Sequence, residues 1–109
     1  MSVREPDVHI VAWKALRNYA AAYKGADKGS LDQALKVWFR EVKQANWGNP
    51  NDIKAKYRSA SILKKGRVVF NICGNKFRIV VWLNYSVKIA YIKWVGTHAE
   101  YDKIDAEEV

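Results

Sequence analysis

Cysteine occurs once, at Cys73, so no disulfide can close within the chain and a covalently stapled fold is excluded. A lone thiol suits a reducing compartment, and Cys73 reads as structural. Histidine occurs twice, as His9 and His98, far apart in sequence. With so few soft ligands there is no zinc pair of cysteines and no H-E-x-x-H helix, and neither a phosphate-binding P-loop nor a G-x-S-x-G elbow is present. No metal and no cofactor is therefore expected, which leaves a metal-free reaction or none. No apolar run approaches the ~20 residues that cross a bilayer, and Met1 to His9 lacks the apolar centre of a secretory leader. The expected location is the cytoplasm, without a membrane partner. Internal repeats and low-complexity runs are also missing.

What is present is a basic, aromatic-rich chain of 109 residues, half of them hydrophobic. That length supports one core, and a single domain is expected over 1–109. The formal charge of +8 is uneven, because residues 100–109 hold one lysine and five acids and so offset a body of +12. A basic body points to a polyanionic partner, nucleic acid ahead of membrane, although a solvated basic surface is the plain alternative.

The most informative stretch runs from Arg67 to Asp102. Gly74-Asn75 between two runs of Val, Ile and Phe is hairpin-turn chemistry, since both residues tolerate positive φ. Placing Cys73 opposite Lys76 pairs Ile72 with Phe77, Asn71 with Arg78, Phe70 with Ile79 and Arg67 with Trp82. Alternation then puts Val68, Phe70, Ile72, Phe77, Ile79, Val81 and Leu83 on one apolar face. Arg67, Asn71, Arg78, Trp82 and Asn84 occupy the other. A further strand, Ile89 to Val95, is apolar in both phases. Burying an unpaired lysine is costly, so the phase that keeps Lys93 wet is expected, with Ile92 and Trp94 in the core and Tyr91 and Lys93 beside Arg78.

Ahead of the sheet, Val8 to Val11 is a possible short edge strand. From Val11 to Lys24, Trp13, Leu16, Ala20 and Tyr23 recur at helical spacing, and Gly25 is placed to stop that helix. Ser30 and Gln33 have capping-box spacing for a second helix, whose stripe is Leu31, Leu35, Trp38, Val42 and Ala45. Asn49, Pro50 and Asp52 are the start signals of a short third helix carrying Lys54, Lys56, Tyr57 and Arg58. Ile62 and Leu63 lead through a Lys64-Lys65-Gly66 turn into Arg67. Helices grouped before an antiparallel sheet of about four strands mean α+β, with the sheet covered on one face and the second face available.

Near that second face the sequence collects Lys54, Lys56, Arg58, Arg67, Arg78 and Lys93, interleaved with Tyr57, Trp82, Tyr91 and Tyr101. Cations contact phosphates and aromatic rings stack on unpaired bases, so the mixture suits single-stranded RNA. Trp82 has the competing role of filling the sheet or meeting a protein. The segment G-T-H-A-E-Y-D places His98 and Tyr101 near a strand end. An imidazole that exchanges protons near neutrality, beside cations that neutralise a phosphate, is what RNA cleavage without metal requires. The structural alternative is a His98 that only caps its loop, and Glu100 and Asp102 either orient the imidazole or begin the acidic tail.

The runs R-V-V-F-N-I-C-G-N-K-F-R-I-V-V and Y-I-K-W-V-G-T-H-A-E-Y-D-K-I-D strongly resemble the HigB-type toxins of bacterial toxin-antitoxin modules. W-F-R-E-V-K-Q-A-N-W and I-K-A-K-Y-R-S-A-S-I-L are similar to that family's second helix and linker, so the resemblance covers about Leu31 to Asp105. It implies a RelE-like fold, two N-terminal helices and a short third on one face of an antiparallel sheet. It also implies an mRNA interferase that cuts mRNA during translation on the ribosome, by attack of a ribose 2′-hydroxyl on the adjacent phosphate, and a HigA-type helix-turn-helix antitoxin as partner. The matching positions are Asn71, Arg78, His98 and Tyr101, and less closely Lys54, Lys56 and Tyr57. Arg58 stands where the family often has proline, and the first thirty residues match poorly. A ParE-like gyrase-poisoning toxin and a non-catalytic RNA- or ribosome-binding module are the rival readings.

Overall fold

The computed structural model describes residues 8–109; Met1–Asp7, the part of the chain read as lacking a leader's apolar centre, lies outside the described residues. The elements in chain order are β1 His9–Val11, α1 Trp13–Ala22, α2 Lys28–Lys43, α3 Pro50–Lys56, β2 Ser61–Ile62, β3 Arg67–Ile72, β4 Phe77–Asn84, β5 Ile89–Thr97 and the single-turn helix α4 His98–Tyr101. The α+β class holds. The sheet has five strands in the order β1-β5-β4-β3-β2, one more than expected. The extra strand is the Val8–Val11 stretch, and it runs parallel to β5 with His9 beside Ile89. Three residues are too few to show a phase, and their partner lies at the far end of the chain.

The hairpin adopts the expected register, from Ile72 opposite Phe77 to Arg67 opposite Trp82. Positive φ extends over three residues of the turn, 54° at Cys73, 59° at Gly74 and 79° at Asn75. Val68, Phe70, Ile72, Phe77, Ile79, Val81 and Leu83 are all buried, under Leu16 and Ala20 of α1, Leu31, Leu35, Trp38 and Val42 of α2, and Ile53 of α3. Phe70 is the aromatic centre of this core. Its ring lies 5.4 Å from Trp38, 5.1 Å from Tyr57 and 6.0 Å from Trp47.

The expected phase of β5 fails beyond Ile92. Val81 pairs with Ile92 but Val80 pairs with Trp94, so Lys93 is the extra residue of a β-bulge. Lys93 stays exposed as expected. Past the bulge the alternation inverts, so Trp94 leaves the core for the second face and Val95 takes its place against the helices.

The second face is not free throughout. Val69 and Val80 point there, and the chain after α4 folds back over them, burying Ala106 and packing Ile104 and Val109 beside Leu63, Trp94 and Tyr101. Two valines and a tryptophan in mid-sheet offer apolar area that the tail removes from water. The acids of the tail are tied to the β2–β3 turn: Lys64 N–H donates to Glu107 at 2.9 Å and Lys65 pairs with Glu108.

Helix starts follow the sequence unevenly. Asn49 caps α3 as expected, accepting from Asp52 N–H at 3.2 Å, with Pro50 in the first helical position. The Ser30–Gln33 box does not form, because α2 begins earlier, at Lys28. Asp27, the residue before it, turns its carboxylate to Lys76 at 2.8 Å instead. The T-H-A-E-Y segment, read as a loop, is a helical turn closed by a capping box in which Thr97 Oγ1 accepts from Glu100 N–H and Glu100 accepts from Thr97 N–H.

Candidate functional site

Three residues cross the second face in one row at the turn end of the sheet: Asn71 on β3, Arg78 on β4 and Gly96 on β5. Arg78 Nη1 donates to Asn75 O at 3.2 Å, so the turn that sets the register also holds the guanidinium. Gly96 is required beside it. A Cβ there would stand 2.5 Å from the Trp94 ring, which lies across the glycine and reaches to 6.0 Å from Tyr101. Arg78 in turn stands 5.6 Å from the centre of the Tyr101 ring, within cation–π range.

His98 is brought to this row by backbone geometry. Its N–H donates to Lys76 O at 3.0 Å, joining the first residue of α4 to the β3–β4 turn. The side chain is half exposed, with Nδ1 3.4 Å from Asp102 Oδ2 one helical turn on. Glu100 faces the other way, accepting from Tyr19 of α1 at 3.2 Å, so α4 is held from both ends. Burial and the adjacent Glu100 raise the Tyr19 hydroxyl to about 12.

The third-helix segment meets the same row through one bond, from Asn71 Nδ2 to Ser59 O at 2.9 Å. Lys54 does not project freely. Its ammonium donates to the carbonyls of Arg58 at 2.7 Å and Ala60 at 2.8 Å, and so closes the loop that carries Arg58 and Ser59. Lys56 is exposed and lies 3.3 Å from Glu41 of α2. Tyr57 is half-buried against Phe70 and donates to Glu41 at 2.6 Å. Burial, then that hydrogen bond, push its hydroxyl far above the ordinary phenol value, so Tyr57 remains protonated.

The remaining candidates form a separate group. Arg67, Trp82 and Tyr91 make a second row across the sheet, four residues along β3 from the first and so roughly 13 Å away. Residues 104–109 lie over the valines between the two rows. Arg67 is held there by Val109 O at 2.7 Å, and the Trp82 ring covers Gly66. Tyr91 is exposed with Lys93 Nζ 4.9 Å from its ring centre. The structure thus brings Asn71, Arg78, His98 and Tyr101 together at one end of the sheet, joins the loop of Arg58 and Ser59 to them through Asn71, pairs Lys56 with Glu41 of α2, and leaves Arg67, Trp82, Tyr91 and Lys93 in a separate group.

Residues that sequence reasoning passed over are Asn75, which holds Arg78, Gly96, which makes room for Trp94, and Glu41, which joins Lys56 to Tyr57. The only sequence signal for Gly96 is a glycine inside an otherwise apolar strand, which marks a close approach. Among the described residues no group of three His, Cys, Asp or Glu side chains could hold a metal ion, and no helix is long and apolar enough to cross a membrane.

Residues 31–104, from the second helix through α4 and into the tail, match the model of the HigB toxin, the RelE-like toxic component of a toxin-antitoxin system. The chain belongs to the HigB toxin family. It is similar to the mRNA interferase HigB of Escherichia coli O6:H1, 26% identical over 73 residues, 65% of this chain and 71% of that protein. The mRNA interferase toxin HigB of Escherichia coli K12 is 28% identical over 97 residues, covering 87% of this chain and 88% of the relative. The mRNA interferase HigB of Shigella flexneri matches to the same extent. Membership in a family of toxic components implies an antitoxin partner. In this HigB-family chain the row, α4 and the α3 loop all fall inside the matched span.

Proposed function

We propose that this chain is an endoribonuclease that cuts mRNA on the translating ribosome in the cytoplasm, without metal, and so stops protein synthesis until a HigA-type helix-turn-helix antitoxin binds it. The observation that carries the reading is the row Asn71–Arg78 with His98 bonded to its turn, in a chain whose relatives are named mRNA interferases.

Cleavage of this kind needs a group that takes the 2′-hydroxyl proton, a group that protonates the departing 5′-oxygen, and cations facing the charge that builds on phosphorus. Arg78 serves the last need. Its guanidinium is a planar cation with a fork of donors, held by Asn75 and the Tyr101 ring. His98, half exposed and backed by Asp102, protonates the leaving oxygen. Lys56 and Tyr101 supply the other proton transfer and further charge, with Asn71 and Arg58 contacting the chain on either side. Lys54 acts through the loop it closes. Tyr91, Lys93, Trp82 and Arg67, beyond the tail, extend the track for flanking RNA.

Induced expression followed by primer extension of cellular mRNAs tests this. Cuts within coding sequence are expected for the parent, and a fall of roughly 10²–10⁴-fold for His98→Gln, with Arg78→Ala at least as severe. DNA damage without cuts would mean a gyrase poison, and growth arrest with neither would mean a binding module. A folded His98→Gln protein that cuts at the parental rate returns His98 to a capping role.

A further inference from the structure

The carboxylate of Glu41, on α2, touches two members of the α3 segment at once. It accepts from Tyr57 Oη at 2.6 Å on one side and faces Lys56 Nζ at 3.3 Å on the other. We propose that Glu41 is a positioning residue that holds the Lys56 ammonium for phosphoryl chemistry at the sheet end. The inference rests on the endoribonuclease reading above and adds to it a residue on α2, outside the candidate site.

The argument is geometric. Lys56 is the last residue of α3, and its long side chain is mostly exposed, so its ammonium samples many rotamers unless something fixes it. Glu41 itself is fixed. It lies on α2 three residues after the buried Trp38 and one before the buried Val42, so its backbone is anchored in the core. Its carboxylate is anchored again by the Tyr57 hydroxyl, whose ring is wedged edge-on against Phe70 and Trp47. Rigid core, tyrosine, carboxylate and ammonium thus form one chain of contacts ending at a mobile cation. The Tyr57 hydrogen bond, then the Lys56 ammonium, keep Glu41 below the ordinary carboxylate value, so it is ionised at neutral pH. As a stability element this pair is worth little, because an exposed ion pair is screened. As a positioning element it matters more, since a group misplaced by about 1 Å loses as much as 10²-fold in rate.

Glu41→Gln separates the two roles. The amide oxygen still accepts from Tyr57, so the core contact survives, while the charge that holds Lys56 is gone. Purified parent, Glu41→Gln, Lys56→Ala and the double variant are compared on a defined mRNA in a reconstituted translation system, with kcat, KM and thermal midpoint measured for each. Glu41→Gln is expected to lower kcat about 10-fold, within the limit for a misplaced group, with KM unchanged and the thermal midpoint lowered only slightly, as for an exposed ion pair. In the Lys56→Ala background the same substitution is expected to cost nothing further. A Glu41→Gln protein with parental kcat overturns the proposal. So does a loss that persists undiminished without Lys56, which would make Glu41 a prop for Tyr57, and so does a Lys56→Ala protein that cuts at the parental rate. A parent that cuts no RNA is a different result, because it removes the endoribonuclease reading and this role with it.

Discussion

The guanidinium carbon of Arg78 lies 5.6 Å from the centre of the Tyr101 ring, across the gap between β4 and α4. The contact joins the residue best suited to face a phosphate to the short helix that carries His98. A cation–π pair at a partly exposed site contributes about 0.5–1 kcal/mol. That is enough to bias an arginine rotamer and too little to hold a fold.

The ring and the hydroxyl of Tyr101 are therefore separable. Tyr101→Phe keeps the ring face and is expected to retain more cleavage than Tyr101→Leu, which loses it. Equal losses for the two in a cleavage assay would place the function of Tyr101 in its hydroxyl, as a proton donor or acceptor.

Stability and activity are expected to map to opposite faces of one hairpin. Phe70 is 1% exposed and meets three aromatic rings, so Phe70→Ala is expected to cost about 3–5 kcal/mol in urea denaturation. Arg78→Ala, on the other face, is expected to leave the midpoint nearly unchanged. Reversal of these two results would mean that the faces of the sheet are swapped.

Acid is expected to destabilise the fold through two carboxylates. Glu41 is lowered chiefly by the Tyr57 hydrogen bond, and Glu100 chiefly by the Thr97 backbone N–H. A carboxyl whose folded value lies below its unfolded value binds its proton later in the folded state. Its contribution is complete above the unfolded value of about 4.3 and disappears as pH falls through the folded one. Urea midpoints taken from pH 7 down to pH 3 should fall less steeply for Glu100→Gln and Glu41→Gln than for the parent. Parallel curves would show that neither carboxylate is linked to folding.

RNA binding is expected to weaken with salt in proportion to the phosphates contacted. Each one neutralised on a single strand contributes about −0.7 to the slope of log affinity against log salt. Arg58→Ala and Lys93→Ala, which remove exposed cations on either side of the tail-covered valines, should each flatten that slope without altering sequence preference. An unchanged slope for Lys93→Ala would confine the RNA to the turn end of the sheet.

The hairpin was legible because two local signals agree. Gly74-Asn75 sets a turn, and the alternation on either side sets the faces, so the opposition of Asn71 and Arg78 follows from chain chemistry alone. The stripe of α2 and the Asn49-Pro50 start of α3 were legible for the same reason, since each is encoded within a few residues. The motif around His98 was visible too; its helical turn was not read, although Thr97 and Glu100 carry the same capping-box spacing as Ser30 and Gln33.

Tertiary structure decided the rest, wherever a residue's surroundings come from distant parts of the chain. The bulge at Lys93 depends on how β5 meets β4, and it moved Trp94 across the sheet to lie over Gly96. The tail was legible only as acidic, yet Ala106 and Val109 pack against Val69 and Val80 in mid-sheet and divide the candidate face in two. Lys54 reads as a free cation until the 57–60 loop folds back and offers it two carbonyls. Sequence determined which residue types were available and which face of the β3–β4 hairpin they occupy. Packing between distant segments determined which of them remain free to meet RNA, because burial and hydrogen bonding depend on neighbours that local periodicity does not specify.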